Sequence, residues 1–184
     1  MATGRKRFLQ RIRVPLGFLF TFAFLYLAEP TAPLLIIGAI VSFLGLMIRG
    51  WAAGHIRKNV EITVSGPYAF TRNPLYLGSL IMCLGVCVGA GIWWVGAVFV
   101  LLFLSIYLPV MRVEAEDLKQ IFPETFPEYE ANVPLLFPRL SPWKRSDMGF
   151  DSSLYMKYRE YRAAVGLVLV WSFLALKMFG ALDF

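Results

Sequence analysis

The chain is short of the residues that build soluble catalytic centres. Among 184 residues it has one histidine, His55, two cysteines, and only 16% charged side chains. Cys83 and Cys87 lie four apart and read as small packing residues within a helix. With no further thiol near them and the lone His55 far along the chain, neither a disulfide framework nor a Cys/His metal site is expected. Charge is missing altogether over the 37 residues from Leu75 to Met111. That run is too long for one membrane span and right for two, which excludes an ordinary soluble domain. The lone Gly89-Ala90-Gly91 follows no strand, so it reads as a turn and not as a dinucleotide fingerprint. The net charge of +6 comes without a nucleic-acid motif, so no nucleic acid is expected as a partner.

What is present in quantity is apolar: 58% of residues are hydrophobic. Five membrane helices are expected, at about Val14–Ala28, Pro33–Ile48 with a possible extension to Ala53, Pro74–Ala90, Ile92–Met111 and Ala163–Leu182. The fold class is therefore all-α, an integral-membrane helical bundle forming one domain over 1–184. With the N-terminus inside, segments 1–13, 49–73 and 112–162 hold 17 of the 18 Lys and Arg residues. This is a strong positive-inside asymmetry, and it places these segments on the cytoplasmic side. Gly38, Ser42, Gly45, Gly50 and Gly54 recur at roughly helical spacing, which lets another helix approach closely. Pro109 is expected to bend the fourth helix near its inner end. Residues 122–143 hold five of the 11 prolines together with many aromatics. They are expected to fold over the inner face. Asp151–Arg162 reads as an amphipathic approach to the last helix.

The chain is organised around Ser65-Gly66-Pro67-Tyr68-Ala69-Phe70-Thr71-Arg72-Asn73-Pro74-Leu75-Tyr76-Leu77-Gly78. Gly66-Pro67 sets a turn. Asn73-Pro74 reads as a helix start, with Asn as cap and Pro at the first helical position. Tyr68, Arg72, Asn73 and Tyr76 thus crowd the mouth of a membrane helix, where backbone donors and the dipole favour an anion. The same residues also serve elsewhere as interfacial anchors, and the chemistry alone leaves both readings open.

The stretch Gly66-Pro67-Tyr68, Arg72-Asn73-Pro74, Tyr76, Gly78 resembles the core motif of the isoprenylcysteine carboxyl methyltransferase and phospholipid (phosphatidylethanolamine) N-methyltransferase superfamily. Many members have His at the position of Asn73, and the phosphatidylethanolamine branch tends to carry Asn-Pro. Downstream, Glu114, Leu118, Phe122-Pro123, Tyr129 and Val133-Pro134 echo the family's acidic motif and its sequel. The second acidic place is taken by Ala115, with Glu116 following. Members that methylate a carboxyl group tend to have Arg before Val-Pro, where this chain has Asn132. The resemblance covers about 49–140, and the last helix is extra.

The resemblance implies an integral-membrane methyltransferase that uses S-adenosyl-L-methionine and acts on a membrane lipid or other hydrophobic small-molecule acceptor. It implies catalytic roles for Arg72 and Glu114. The cofactor set it implies is His55, Tyr68, Arg72, Asn73, Pro74, Tyr76, Leu77, Gly78, Glu114 and Glu116. Arg72 suits a carboxylate and Glu114 an ammonium or ribose hydroxyls, so the two can grip opposite ends of one zwitterion. The alternative is a direct Arg72–Glu114 ion pair closing the bundle. Glu114 and Glu116 lie about 200° apart on a helix, so they cannot both face one pocket. Two other functions stay open: a sterol-reductase-like enzyme using NADPH, and a non-enzymatic transporter or membrane scaffold subunit.

Overall fold

The computed structural model describes residues 24, 26–57, 60–144 and 148–181. Of the expected first span, residues 14–23 and 25 lie outside these, as does the basic stretch Arg5–Arg13. After Phe24, Tyr26 and Leu27, which are helical, six α-helices are bounded among the described residues: α1 (Ala32–Ala53), α2 (Pro74–Gly89), α3 (Trp93–Ile121), α4 (Phe126–Asn132), α5 (Ser152–Lys157) and α6 (Tyr161–Met178). A short 3-10 turn, Gly66–Ala69, lies between α1 and α2, and no strand occurs among the described residues. Helices α1, α3 and α6 are long and apolar enough to cross a membrane, and α2 is a shorter apolar helix. The all-helical membrane-type bundle expected from the sequence is therefore the fold.

Helix α1 takes the longer of its two expected ends, at Ala53, whereas α3 differs from expectation: it continues through Pro109 to Ile121, ten residues beyond the expected end. Its last three turns are polar. They carry Glu114, Glu116 and Asp117 out of the apolar zone on the same continuous helix.

Helices α1 and α2 are joined along a seam of small residues. A Cβ on Gly45 would meet the Gly78 carbonyl oxygen at 2.6 Å, and one on Gly85 would meet the Gly38 carbonyl oxygen at 2.6 Å. Backbone therefore lies on backbone, as a Gly/Ser stripe permits. The Ser42 hydroxyl crosses the seam to the Met82 carbonyl at 3.0 Å. Gly50 and Gly54 lie off the seam and abut Tyr155 and Phe150. Helix α6 closes the far end, where Trp171 rests on Gly89 and Leu174 joins a buried cluster with Cys87 and Val95.

At the other end of the bundle the chain is irregular. Segment 133–143 is strapped across the turn that precedes α2. The Arg72 amide donates to the Pro134 carbonyl at 2.9 Å, the Arg139 amide to Phe70 at 3.0 Å and the Trp143 amide to Ala69 at 3.0 Å. The Thr71 hydroxyl donates to the Leu136 carbonyl at 2.9 Å. Helix α4 fastens the strap: Phe126, Tyr129 and Val133 are buried together, and the Tyr129 hydroxyl donates to the Tyr68 carbonyl at 2.9 Å. The proline-rich segment thus does fold over one end of the bundle.

Candidate active site

A cavity of about 690 Å³ opens at this strapped end. Four structural features meet there: the end of α1, the turn before α2, the first turns of α2, and one face of α3. The α3 contribution is Tyr107, Glu114, Asp117, Leu118 and Ile121. These follow the helical repeat, so a single stripe of α3 lines the wall. Glu116 lies off that stripe and is exposed. The two acids therefore diverge as their spacing requires.

Tyr68, Arg72, Asn73, Pro74, Tyr76 and Glu114 all line the cavity. The Tyr76 hydroxyl donates to Glu114 Oε1 at 3.0 Å, and its ring lies 5.2 Å from that of Tyr107. Arg72 does not pair with Glu114. Its Nη1 instead donates to Glu130 Oε1 at 2.5 Å, because α4 brings that carboxylate behind the turn. The direct Arg72–Glu114 bridge is thus replaced by two separate contacts, Arg72 with Glu130 and Glu114 with Tyr76. The Arg72 Nε is buried without a partner.

Asn73 occupies the cap position of α2 and Pro74 its first turn, yet the Asn73 side chain makes no capping bond. Its Nδ2 donates to the Leu135 carbonyl at 2.9 Å. The strap has claimed the side chain, and Thr71 Oγ1 accepts from the Asn73 amide at 3.3 Å.

Four sequence candidates stand off the cavity wall. His55 is buried with Nδ1 2.9 Å from the Trp51 carbonyl oxygen and its ring edge-on to Phe150. It fills the space under Gly66, whose positive φ of 55° needs a residue without a side chain. Leu77 belongs to the core with Leu80, Phe103 and Met111. Gly78 faces α1, where a Cβ would meet the Arg49 side chain at 2.6 Å. Glu116, as noted, points elsewhere.

Residues the sequence reading missed are Arg49, Ser79, Tyr107, Asp117 and, behind the wall, Glu130. Counting the helical repeat out from Glu114 finds Tyr107 and Asp117. Glu130 carries no local signal, since its place depends on how α4 folds back.

Electrostatically the wall is mixed, with Arg49, Arg57 and Arg72 set against Glu61, Glu114 and Asp117. Burial pushes the Tyr68 and Tyr129 hydroxyls well above the ordinary tyrosine range, so both are neutral proton-bearing groups. Around Tyr129, Arg72 opposes that rise.

A cavity of this size accommodates a drug-sized ligand. It offers two opposed charges, an aromatic pair and a buried guanidinium N–H with no protein partner. Those groups fit a zwitterionic ligand carrying a carboxylate, an ammonium and a cationic sulfur. The carboxylate would meet Arg72, the ammonium Glu114, and the sulfonium the Tyr76 and Tyr107 rings.

The arrangement is that of a helical membrane protein with a ligand cavity at one end of its bundle. Residues 21–125, more than half of the chain, match the model of the phospholipid methyltransferase family, and the chain belongs to that family. Two curated relatives are the cobalt-zinc-cadmium resistance protein CzcN of Cupriavidus metallidurans and the nickel-cobalt-cadmium resistance protein NccN of Alcaligenes xylosoxydans xylosoxydans. The first is 39% identical over 113 residues, 60% of this chain and 52% of the relative. The second is 34% identical over 113 residues, 60% of this chain and 53% of the relative. The chain thus spans about half the length of the curated relatives it matches. No solved structure matches it.

Proposed function

We propose that the protein is a methyltransferase that uses S-adenosyl-L-methionine and acts on a lipid or other hydrophobic acceptor at the cytoplasmic membrane face. The observation that carries this reading is one cavity that joins Arg72, Tyr76 and Glu114 at the end of a membrane-type bundle. Family membership supports methyl transfer as the reaction class.

S-adenosylmethionine supplies an electrophilic methyl group on a sulfonium. The residues of this chain then have three tasks. Arg72, held by Glu130 on one side, orients a carboxylate with its remaining N–H groups. Glu114, fixed by the Tyr76 hydroxyl, holds an ammonium or ribose hydroxyls. Tyr107 and Tyr76 present ring faces that favour a cation. Little acid–base work is needed for a carboxylate or neutral amine acceptor, so positioning supplies most of the rate.

The cytoplasmic placement rests on the charge asymmetry of the chain. A cysteine introduced at Trp93, the exposed first residue of α3 just after the α2–α3 link, should react with an impermeant reagent only from outside. Labelling only from the cytoplasmic side overturns that placement.

The reading is tested by calorimetry of the detergent-solubilised protein with S-adenosylhomocysteine and, separately, NADPH. Binding of the first and not the second is expected. The reverse result favours the reductase-like alternative, and binding of neither favours a transporter or scaffold. Among the described residues no group of three or more His, Cys, Asp or Glu side chains is placed to hold a metal ion.

A further inference from the structure

Arg49 is the single charged residue in the sequences of α1 and α2. A charge on a membrane helix is expensive and usually marks a functional place. Arg49 stands on the cavity wall with its side chain 21% exposed, so a ligand can reach it. Its Nη1 donates to the Leu75 carbonyl at 3.2 Å and to the Ser79 hydroxyl. Its Nη2 donates to Glu160, which is 8% exposed and lies at the start of α6, beyond the family-matched residues. These bonds fix the guanidinium in one orientation and leave its Nε buried without a partner.

Beside it stands Tyr68, on the same cavity wall and 6% exposed. Burial is the main influence on its hydroxyl, with the charge of Glu160 raising it further and that of Arg49 opposing the rise, and it too is buried without a partner. Buried polar groups are nearly always paired, and one left unpaired costs about 1–3 kcal/mol. Five buried side-chain atoms of the described residues lack partners, and three of them, Arg49 Nε, Tyr68 OH and Arg72 Nε, belong to the walls of this one cavity. All three are donors. Arg72 precedes α2, whereas Arg49 lies against its first and second turns, farther toward the apolar bundle.

We propose that Arg49 and Tyr68 form an oxyanion subsite of this cavity, which takes the phosphate or carboxylate of the acceptor, and that Glu160 is the residue that positions Arg49. The inference rests on the methyltransferase reading for the second occupant of the cavity. A guanidinium fork matches two oxygens of such a group, and a tyrosine hydroxyl supplies a third donor. The place of Arg49 beside the apolar helices suits an amphiphile whose chains stay in the bilayer. The C-terminal helix thereby becomes part of the site.

The test measures binding to the full chain in detergent by native mass spectrometry, with dioleoyl phosphatidate, dioleoylglycerol and inorganic phosphate as probes. Phosphatidate should bind at least tenfold more tightly than dioleoylglycerol. Arg49→Gln and Tyr68→Phe should each remove most of that preference, by a larger factor than they change S-adenosylhomocysteine affinity. Tyr68→Phe deletes only an unpartnered hydroxyl, so its effect is readable even if Arg49→Gln fails to fold. Glu160→Gln should weaken phosphatidate binding severalfold, and tighter binding would make Glu160 a competitor and overturn its positioning role. If both lipids bind equally, or if the first two variants keep the preference, the subsite is overturned. Inorganic phosphate binding with the same sensitivity to the variants assigns the subsite to a free anion, whereas phosphatidate binding alone assigns it to a lipid head group. A protein that prefers phosphatidate but ignores S-adenosylhomocysteine keeps the subsite and loses the methyltransferase reading. One that binds S-adenosylhomocysteine without preferring phosphatidate does the opposite.

Discussion

The α1–α2 seam and the strap over the motif turn are built from opposite materials. Along the seam, Gly38, Gly45, Gly78 and Gly85 remove side chains so that backbones touch. At the strap, polar and aromatic side chains reach across: Thr71, Asn73 and Tyr129 each donate to a backbone carbonyl of the facing segment. The seam depends chiefly on shape, with the Ser42 hydroxyl bond to Met82 across it, and has no slack. The strap depends on individual hydrogen bonds between buried groups, each of modest net worth. The difference separates a scaffold that must not move from a site wall that can adjust.

That comparison is broken most severely from the scaffold side. Gly45→Leu forces a side chain into the backbone of α2, and a cost of about 4 kcal/mol or more is expected, the range of overpacking with no room to relax. Thermal unfolding in detergent should show loss of the cooperative transition. A near-normal Tm would mean that the helices are not in backbone contact.

The next largest effect falls on the site wall. Arg72→Ala should weaken S-adenosylhomocysteine binding by about 1.5–3 kcal/mol, the scale of a charge-assisted hydrogen bond. Unchanged calorimetric affinity in a folded variant removes Arg72 from the cofactor site.

A finer test uses the two acids of α3. Glu114→Gln should abolish most methyl transfer and weaken cofactor binding. Glu116→Gln should cost less than about tenfold, under ~1.4 kcal/mol. Silence at Glu114 with damage at Glu116 would show that the working face of α3 is a different one.

The smallest effect is set by pH. Burial raises the Tyr68 and Tyr129 hydroxyls in the folded chain, so their contribution to stability is complete below the unfolded tyrosine value of about 10. Above it the unfolded chain loses protons that the folded chain keeps, and stability falls as pH rises. A flat Tm between pH 7 and 9 and a decline beyond about 10 are expected, with Tyr129→Phe showing a shallower decline. A decline that starts near neutrality would contradict the burial of these groups.

The helices were legible in the sequence because apolar length and small-residue spacing are local properties. Gly38, Ser42 and Gly45 announced a close helix partner, and α2 supplies it. The turn at Gly66 and the divergence of Glu114 from Glu116 were legible for the same reason: each follows from backbone geometry over a few residues. What escaped was partnership across the chain. Asn73 looks like a cap, but Leu135 competes for its amide from 62 residues away. Arg72 looks matched to Glu114, yet the carboxylate that reaches it is Glu130. His55 looks like a site residue because it is the single imidazole, and it proves to be packing under a glycine turn. The first expected span lies almost wholly outside the described residues.

The strap also has a consequence for how this protein can be taken apart. The family-matched residues stop at 125, whereas Arg72, Thr71 and Asn73 all find their partners between Glu130 and Leu136. The stretch that records kinship is thus smaller than the stretch that folds as a unit. A chimera joined to a relative at residue 125 inherits the motif turn of one parent and the strap of the other, and it must find the same three acceptors by luck. Moving the junction past Trp143 keeps turn and strap from one lineage. The natural unit of exchange in this protein is the turn together with its strap.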